Sequence, residues 1–210
     1  MPVDYTLYFI ADAEFASGRD LVPVIEAAVR GGATIIQLRA KDYPFQAFLE
    51  LGRRAAAVLK KRRVPLLIND RVDVALGCGA AGVHLGQQDM PPALARKALQ
   101  KGSLIGVSVN TPEEALEAEN QGADYVGAGP AYATTTITTG LPVLGPDGIR
   151  RIKDAVRIPV VAIGGITDRN ARAVREAGAD GVAVVSAILG AADPETAARL
   201  IKKSLRGVAP

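Results

Sequence analysis

Three polar residues, Gln37, Arg39 and Lys41, stand at alternate positions near the end of an apolar run that begins at Ala33. On a strand, residues two apart share a face. Polar heads on the inner edge of an apolar strand are costly without a partner. Either the trio points to water, or it forms a cationic wall for a multiply charged anion. Arg supplies a planar fork and Lys a point charge, the pair that phosphates use. Asp70 and Asp89 end the next two apolar runs. Side by side, two carboxylates suit a hard cation such as Mg²⁺, which works with phosphate oxygens. Singly, each would be a helix N-cap, since helices are expected from Val72 and after Met90-Pro91-Pro92. Further on, Ile163-Gly164-Gly165-Ile166 and Val184-Val185-Ser186 suggest a backbone phosphate cradle, the bland alternative being a tight turn. Between them Thr134, Thr135, Thr136, Thr138 and Thr139 lead to Gly140, as a lid over phosphate or as a solvated loop. Ser108 and Asn110 close another apolar run, and His84 sits inside one, where a satisfied core histidine is the alternative to a ligand contact. Cys78 reads as inert. Lys60-Lys61-Arg62-Arg63 reads as a solvated cationic helix end.

These residues need a scaffold that brings run ends together. Eight short apolar runs recur, starting near Tyr5, Ala33, Val64, Gly82, Leu104, Tyr125, Pro159 and Gly181. Segments with helical spacing separate them, such as Leu94, Ala95, Ala98 and Leu99, or Ala171, Val174 and Ala177 entered through Thr167-Asp168. Gly-Ala turns open the next run, as in Gly122-Ala123-Asp124 and Gly178-Ala179-Asp180. Continuous apolar strands are buried on both faces, which implies a parallel sheet covered by helices. Eight such units over residues 1–210 predict an α/β fold, one TIM (β/α)8 barrel domain, rather than an open doubly wound sheet. Apart from His84, which sits inside its run, the candidate ligand contacts lie at or just after a run's C-terminal end, the rim where such barrels carry their active sites.

Composition narrows the chemistry. A single His and a single Cys exclude paired-His metal sites, an internal disulfide and a Cys-rich zinc site within one chain. The net charge of +3 is too small to predict nucleic-acid binding without clustering. No apolar run is long enough for a membrane span, and the N-terminus lacks an export pattern. A cytoplasmic protein with small-molecule partners is expected, and a homo-oligomer is compatible with the sequence.

In combination the motifs resemble the thiamine-phosphate synthase family over nearly the whole chain. The matching residues are Gln37-Leu38-Arg39-Ala40-Lys41, Asn69-Asp70-Arg71, His84-Leu85-Gly86-Gln87-Gln88-Asp89, Gly106-Val107-Ser108, Gly129-Pro130, Thr134-Thr135-Thr136, Gly164-Gly165 and Val185-Ser186. The resemblance implies coupling of 4-amino-2-methyl-5-hydroxymethylpyrimidine diphosphate with 4-methyl-5-(2-phosphoethyl)thiazole, giving thiamine phosphate and pyrophosphate. It implies that Gln37, Arg39, Lys41, Asn69 and Ser108 hold the pyrimidine diphosphate, with Arg39, Lys41 and Ser108 acting in catalysis. Asp70 and Asp89 would bind Mg²⁺, and Thr134, Thr136, Gly165, Val185 and Ser186 would hold the thiazole phosphate. Three positions depart from the family pattern: Ile137 replaces a diphosphate-contacting Lys, Ala40 a Glu, and Asn110 a His. Thiazole tautomerases of the same scaffold use that His for proton transfer, so Asn110 weighs against a tautomerase-like paralogue. Ile137 motivates the other alternative, a non-catalytic phosphate-ligand binder.

Overall fold

The computed structural model describes residues 3–136 and 140–206. Ile137, Thr138 and Thr139 lie outside them, so the expectations placed there have no structural counterpart. All eight apolar runs form strands: β1 (Leu7–Asp12), β2 (Ile35–Arg39), β3 (Leu66–Asn69), β4 (Gly82–Leu85), β5 (Leu104–Val109), β6 (Tyr125–Ala128), β7 (Val160–Ile163) and β8 (Gly181–Val184). They pair in parallel in chain order, and β8 closes on β1. The expected single closed barrel is the observed architecture.

Ten helices are described: α1 (Ala13–Ala16), α2 (Leu21–Arg30), α3 (Phe45–Arg62), α4 (Val72–Cys78), α5 (Pro92–Ala98), α6 (Pro112–Asn120), α7 (Gly145–Ala155), α8 (Ala171–Glu176), α9 (Ser186–Leu189) and α10 (Pro194–Ser204). None is long and apolar enough to cross a membrane. Strand residues such as Phe9, Ile36, Leu38, Ile68, Val83 and Val126 are fully buried, as expected for a sheet covered on both faces. The basic end of α3 is as read: Lys60, Lys61 and Arg62 occupy its last turn, and Arg63 caps it in a left-handed conformation.

The Asp that follows two of the Gly-Ala turns proves structural. Asp124 Oδ2 accepts the Ile105 backbone N–H at 2.7 Å and an Arg96 hydrogen bond at 2.6 Å. Asp180 Oδ2 repeats the device with Val160 N–H and Lys153, both at 2.8 Å. Each carboxylate ties a strand's amino end to a basic helix residue. That leaves the opposite rim for chemistry.

Two helix expectations need correction. On α5 only Ala95 is fully buried, while Leu94 is 52% exposed. This helix is held instead by Arg96, whose guanidinium reaches Ser103 O, Gly122 O and Asp124. At α8 the cap is Asn170, not the Thr167-Asp168 pair. Asn170 Oδ1 accepts Thr167 N–H at 2.8 Å, and its Nδ2 donates to Gly165 O at 2.9 Å. The helix entry thereby braces a glycine of the functional rim.

Candidate active site

One cavity of about 510 Å³ opens at the C-terminal end of the barrel. Its wall includes Gln37, Arg39, Lys41, Asn69, Asp70, Asp89, Ser108, Thr134, Thr136, Gly165, Val185 and Ser186. The volume lies within the range usual for small-molecule sites. The residues that the family resemblance assigns to the site thus line one cavity.

The cationic side is built from β1 and β2. Asp12 pairs in register with Arg39 across the two strands. Arg39 Nη1 donates to Asp12 Oδ2 at 2.6 Å and to Glu14 Oε2 at 3.1 Å. Asp12 also accepts Phe15 N–H at 2.9 Å, capping α1. The guanidinium is therefore held at Nη1 by two carboxylates, and Arg39 lines the cavity. Glu14 was missed from the sequence because it lies two residues beyond the strand end, in the first turn of α1, where a half-buried carboxylate carries no pattern. Lys41 differs: its side chain is 55% exposed, with Nζ 3.5 Å from Asp70 Oδ2.

The acidic pair comes from the turns after β3 and β4. Neither carboxylate caps a helix, which removes the capping alternative. Arg71 and Pro91 occupy the N-cap positions of α4 and α5, and neither makes a side-chain cap bond. Asp70 holds a left-handed backbone, φ +60°, a conformation Asp tolerates better than most residues. Asp89 Oδ2 accepts Gly86 N–H at 2.7 Å, which fixes its loop. Burial, and then the facing Asp89, push the Asp70 carboxyl up to about 6, with Lys41 opposing. Two hard oxygen donors of like charge form a set that a divalent cation would relieve.

The opposite wall is backbone and hydroxyl. Thr136 Oγ1 donates to Ser186 Oγ at 3.0 Å, and Thr136 N–H donates to Thr134 Oγ1 at 3.2 Å. Ser186 opens the short α9, with Val185 before it. Gly165 has φ +63°, and a Cβ there would lie 2.5 Å from Ala133 O and 2.9 Å from Tyr132 Cβ. No other residue fits that turn without moving the threonine loop.

His84 resolves in favour of a buried, hydrogen-bonded side chain that also lines the cavity. Burial pushes its imidazole down to about 4, so it is neutral at neutral pH. Asn110 Nδ2 donates to Gly129 O and Pro142 O, a loop-bracing role. Cys78 is buried among apolar residues, and that burial raises its thiol pKa, in keeping with an inert side chain.

Residues 7–188 match the family model described as thiamine monophosphate synthase. The thiamine-phosphate synthase of Chloroflexus aurantiacus is 48% identical over 200 residues, covering 95% of this chain and 92% of the relative. That of Syntrophomonas wolfei is 43% identical over 200 residues, covering 95% and 96%. The solved thiamine phosphate pyrophosphorylase of Pyrococcus furiosus superposes with a TM-score of 0.90 at 40% identity, covering 99% of this chain and 98% of that one. With a closed barrel whose cationic and hydroxyl walls share one rim, and with likeness at this level over nearly the full length, the chain belongs to the thiamine monophosphate synthase family, and its activity is the synthesis of thiamine phosphate.

Proposed function

We infer that the reaction is Mg²⁺-dependent, and that the two walls of the cavity divide the two substrates between them. The observation that carries this is the Asp70–Asp89 pair, set beside Arg39 and Lys41 and across from a neutral hydroxyl wall. Among the described residues no cluster of three or more His, Cys, Asp or Glu forms a metal cage. Two carboxylates suit a hard cation that completes its shell with waters and diphosphate oxygens. Asp70 and Asp89 would hold Mg²⁺, and the bound ion would neutralise diphosphate charge.

The pyrimidine diphosphate lies on the cationic side. Arg39 and Lys41 bind the diphosphate, and Gln37, Asn69 and Ser108 orient the pyrimidine end. The bond between the pyrimidine methylene carbon and the ester oxygen of the diphosphate breaks, and its electron pair leaves with pyrophosphate. The thiazole nitrogen uses its own lone pair to form the new carbon–nitrogen bond, so no strong base is needed. Cations fixed where negative charge grows stabilise that departure most. The thiazole phosphate sits on Thr134, Thr136, Gly165, Val185 and Ser186, whose donors are hydroxyl and backbone N–H groups.

Two measurements check this division. Mixing both phosphorylated precursors with Mg²⁺ is expected to release thiamine phosphate and pyrophosphate in equal amounts. Loss of turnover on chelation should be reversed by added Mg²⁺, and turnover undiminished by chelation overturns the metal assignment. Ser186→Ala removes a cradle hydroxyl, and should raise KM for the thiazole phosphate roughly tenfold while leaving KM for the diphosphate within about twofold. An equal rise in both constants contradicts the two-wall arrangement.

A further inference from the structure

A line of hydrogen bonds crosses the barrel interior beneath the cavity. Gln37 Nε2 donates to Tyr8 OH at 2.8 Å. The hydroxyls of Tyr8 and Tyr125 meet at 2.8 Å. Tyr125 OH lies 2.8 Å from His84 Nδ1, and His84 Nε2 lies 2.9 Å from Ser108 Oγ. The five residues come from β2, β1, β6, β4 and β5. Gln37, His84 and Ser108 line the cavity, while Tyr8 and Tyr125 are at most 1% exposed. The fold clears a path for this line: a Cβ on Gly106 would collide with the Tyr125 ring and hydroxyl.

The proton count constrains the line. Each tyrosine hydroxyl has one proton to donate, and a neutral imidazole has one N–H. A mixed arrangement would set two protons, or two lone pairs, against each other in a buried place, which is costly. The line therefore has two consistent directions. If Gln37 donates first, Tyr8 donates to Tyr125 and Tyr125 to His84 Nδ1. The imidazole proton then sits on Nε2 and is donated to Ser108 Oγ. That leaves the Ser108 proton free for the cavity. In the reverse direction Ser108 spends its proton on His84 and offers a ligand only lone pairs. The Gln37 amide, donating to Tyr8 OH, selects the first arrangement already in the free protein, and an anionic ligand requires the same one.

We propose that Gln37, Tyr8, Tyr125, His84 and Ser108 form one directional hydrogen-bond relay, in which Tyr125 and His84 are positioning residues that turn the Ser108 hydroxyl proton toward an anionic oxygen of the substrate. Gln37 and Ser108, on opposite sides of the cavity, are then coupled: fixing the Gln37 amide fixes Ser108 as a donor. This rests on the placement of the pyrimidine diphosphate on the cationic wall.

His84 is the chain's single histidine, so labelling histidine with ¹⁵N in the ring reports this imidazole alone in tag-free protein. The expected spectrum shows the proton on Nε2 and none on Nδ1, unchanged between about pH 6 and 8. A proton on Nδ1, or averaging between the two nitrogens, overturns the relay. Tyr125→Phe keeps the ring and removes the central hydroxyl. It should mix the two tautomers and lower kcat roughly tenfold, with KM for the thiazole phosphate within about twofold. His84→Gln, which retains an N–H donor toward Ser108, should keep more kcat than His84→Leu. Wild-type kcat in Tyr125→Phe, or equal losses in the two His84 variants, overturns the positioning role. The tautomer is read without substrate, so a wild-type protein that fails to turn over would count against the functional reading and leave the relay standing.

Discussion

Replacing Asp70 with Asn is expected to abolish most of the activity and, at the same time, to stabilise the metal-free protein. The activity loss follows from removing one of the two oxygen donors of the proposed Mg²⁺ site, whose ion would neutralise the leaving diphosphate, and should reach roughly a thousandfold in kcat/KM. The gain in stability follows from the Asp70 carboxyl, whose pKa rises from an ordinary 3.8 to about 6 through burial and the facing Asp89. In that window the folded protein holds a proton that the unfolded chain has released. Stability therefore falls as pH rises from about 4 to about 6, and the deficit persists above it. An amide cannot ionise, so the variant escapes the penalty. Allowing for partial exposure of the carboxylate, the gain at pH 8 is about 1–2 kcal/mol, or roughly 3–6 °C in Tm for a chain of this size. Asn also tolerates the left-handed backbone at this position, but that contribution does not vary with pH. Thermal unfolding in chelator should show the two proteins converging toward pH 4 and separating above pH 6. Added Mg²⁺ should raise the wild-type Tm and leave the variant unmoved, because only the former has the donor pair. A lower Tm for the variant at pH 8 would mean that the carboxylates do not repel, and a shared response to Mg²⁺ would move the metal elsewhere.

Much of this site is legible in sequence because barrel topology turns strand order into rim position. Gln37 and Arg39 share a face by strand periodicity alone, and the strand-end rule puts Asp70 and Asp89 beside them. What stays hidden is whatever depends on contacts across the barrel. Tyr8 and Tyr125 lie 117 residues apart, and each reads as an aromatic in an apolar run. Only the closed sheet points both hydroxyls at one place. The same holds for Asp124 and Asp180, which repeat visibly after Gly-Ala turns. Their purpose needs the neighbouring strand's N–H in view. The α5 stripe misleads for a related reason: Arg96 anchors that helix through backbone oxygens, so apolar spacing does not report which face is inward. Asn170 shows the limit of cap rules. Its side chain serves the preceding loop and Gly165 rather than the first turn of α8, which leaves no pattern of the usual kind.

The two cations of the site should separate sharply under mutation, although both are proposed to bind the same diphosphate. Arg39 is 16% exposed and bonded to Asp12, whose side chain is 3% exposed. Arg39→Met leaves that buried carboxylate with the Phe15 N–H as its remaining hydrogen bond among the described residues. An uncompensated buried charge costs roughly 3–5 kcal/mol, a fall of about 6–20 °C in Tm, in addition to loss of turnover. Lys41 is more than half exposed, and its ion pair with Asp70 is long. Lys41→Met should change stability by less than about 0.5 kcal/mol, yet lower kcat some 10- to 100-fold, because its charge counts only when diphosphate is bound. A second substitution isolates what Arg39 does for the reaction. Asp12→Asn removes the stranded charge and keeps an acceptor for the Phe15 N–H. The Arg39→Met, Asp12→Asn double variant should therefore regain most of the lost Tm while its kcat remains as low as in the single variant. Such a split, with stability rescued and turnover not, would place the guanidinium in two separable roles: partner to a buried carboxylate beneath the rim, and fixed positive charge above it. Recovery of turnover together with Tm would reduce Arg39 to a structural group and leave Lys41 as the diphosphate cation of β2 and its following turn.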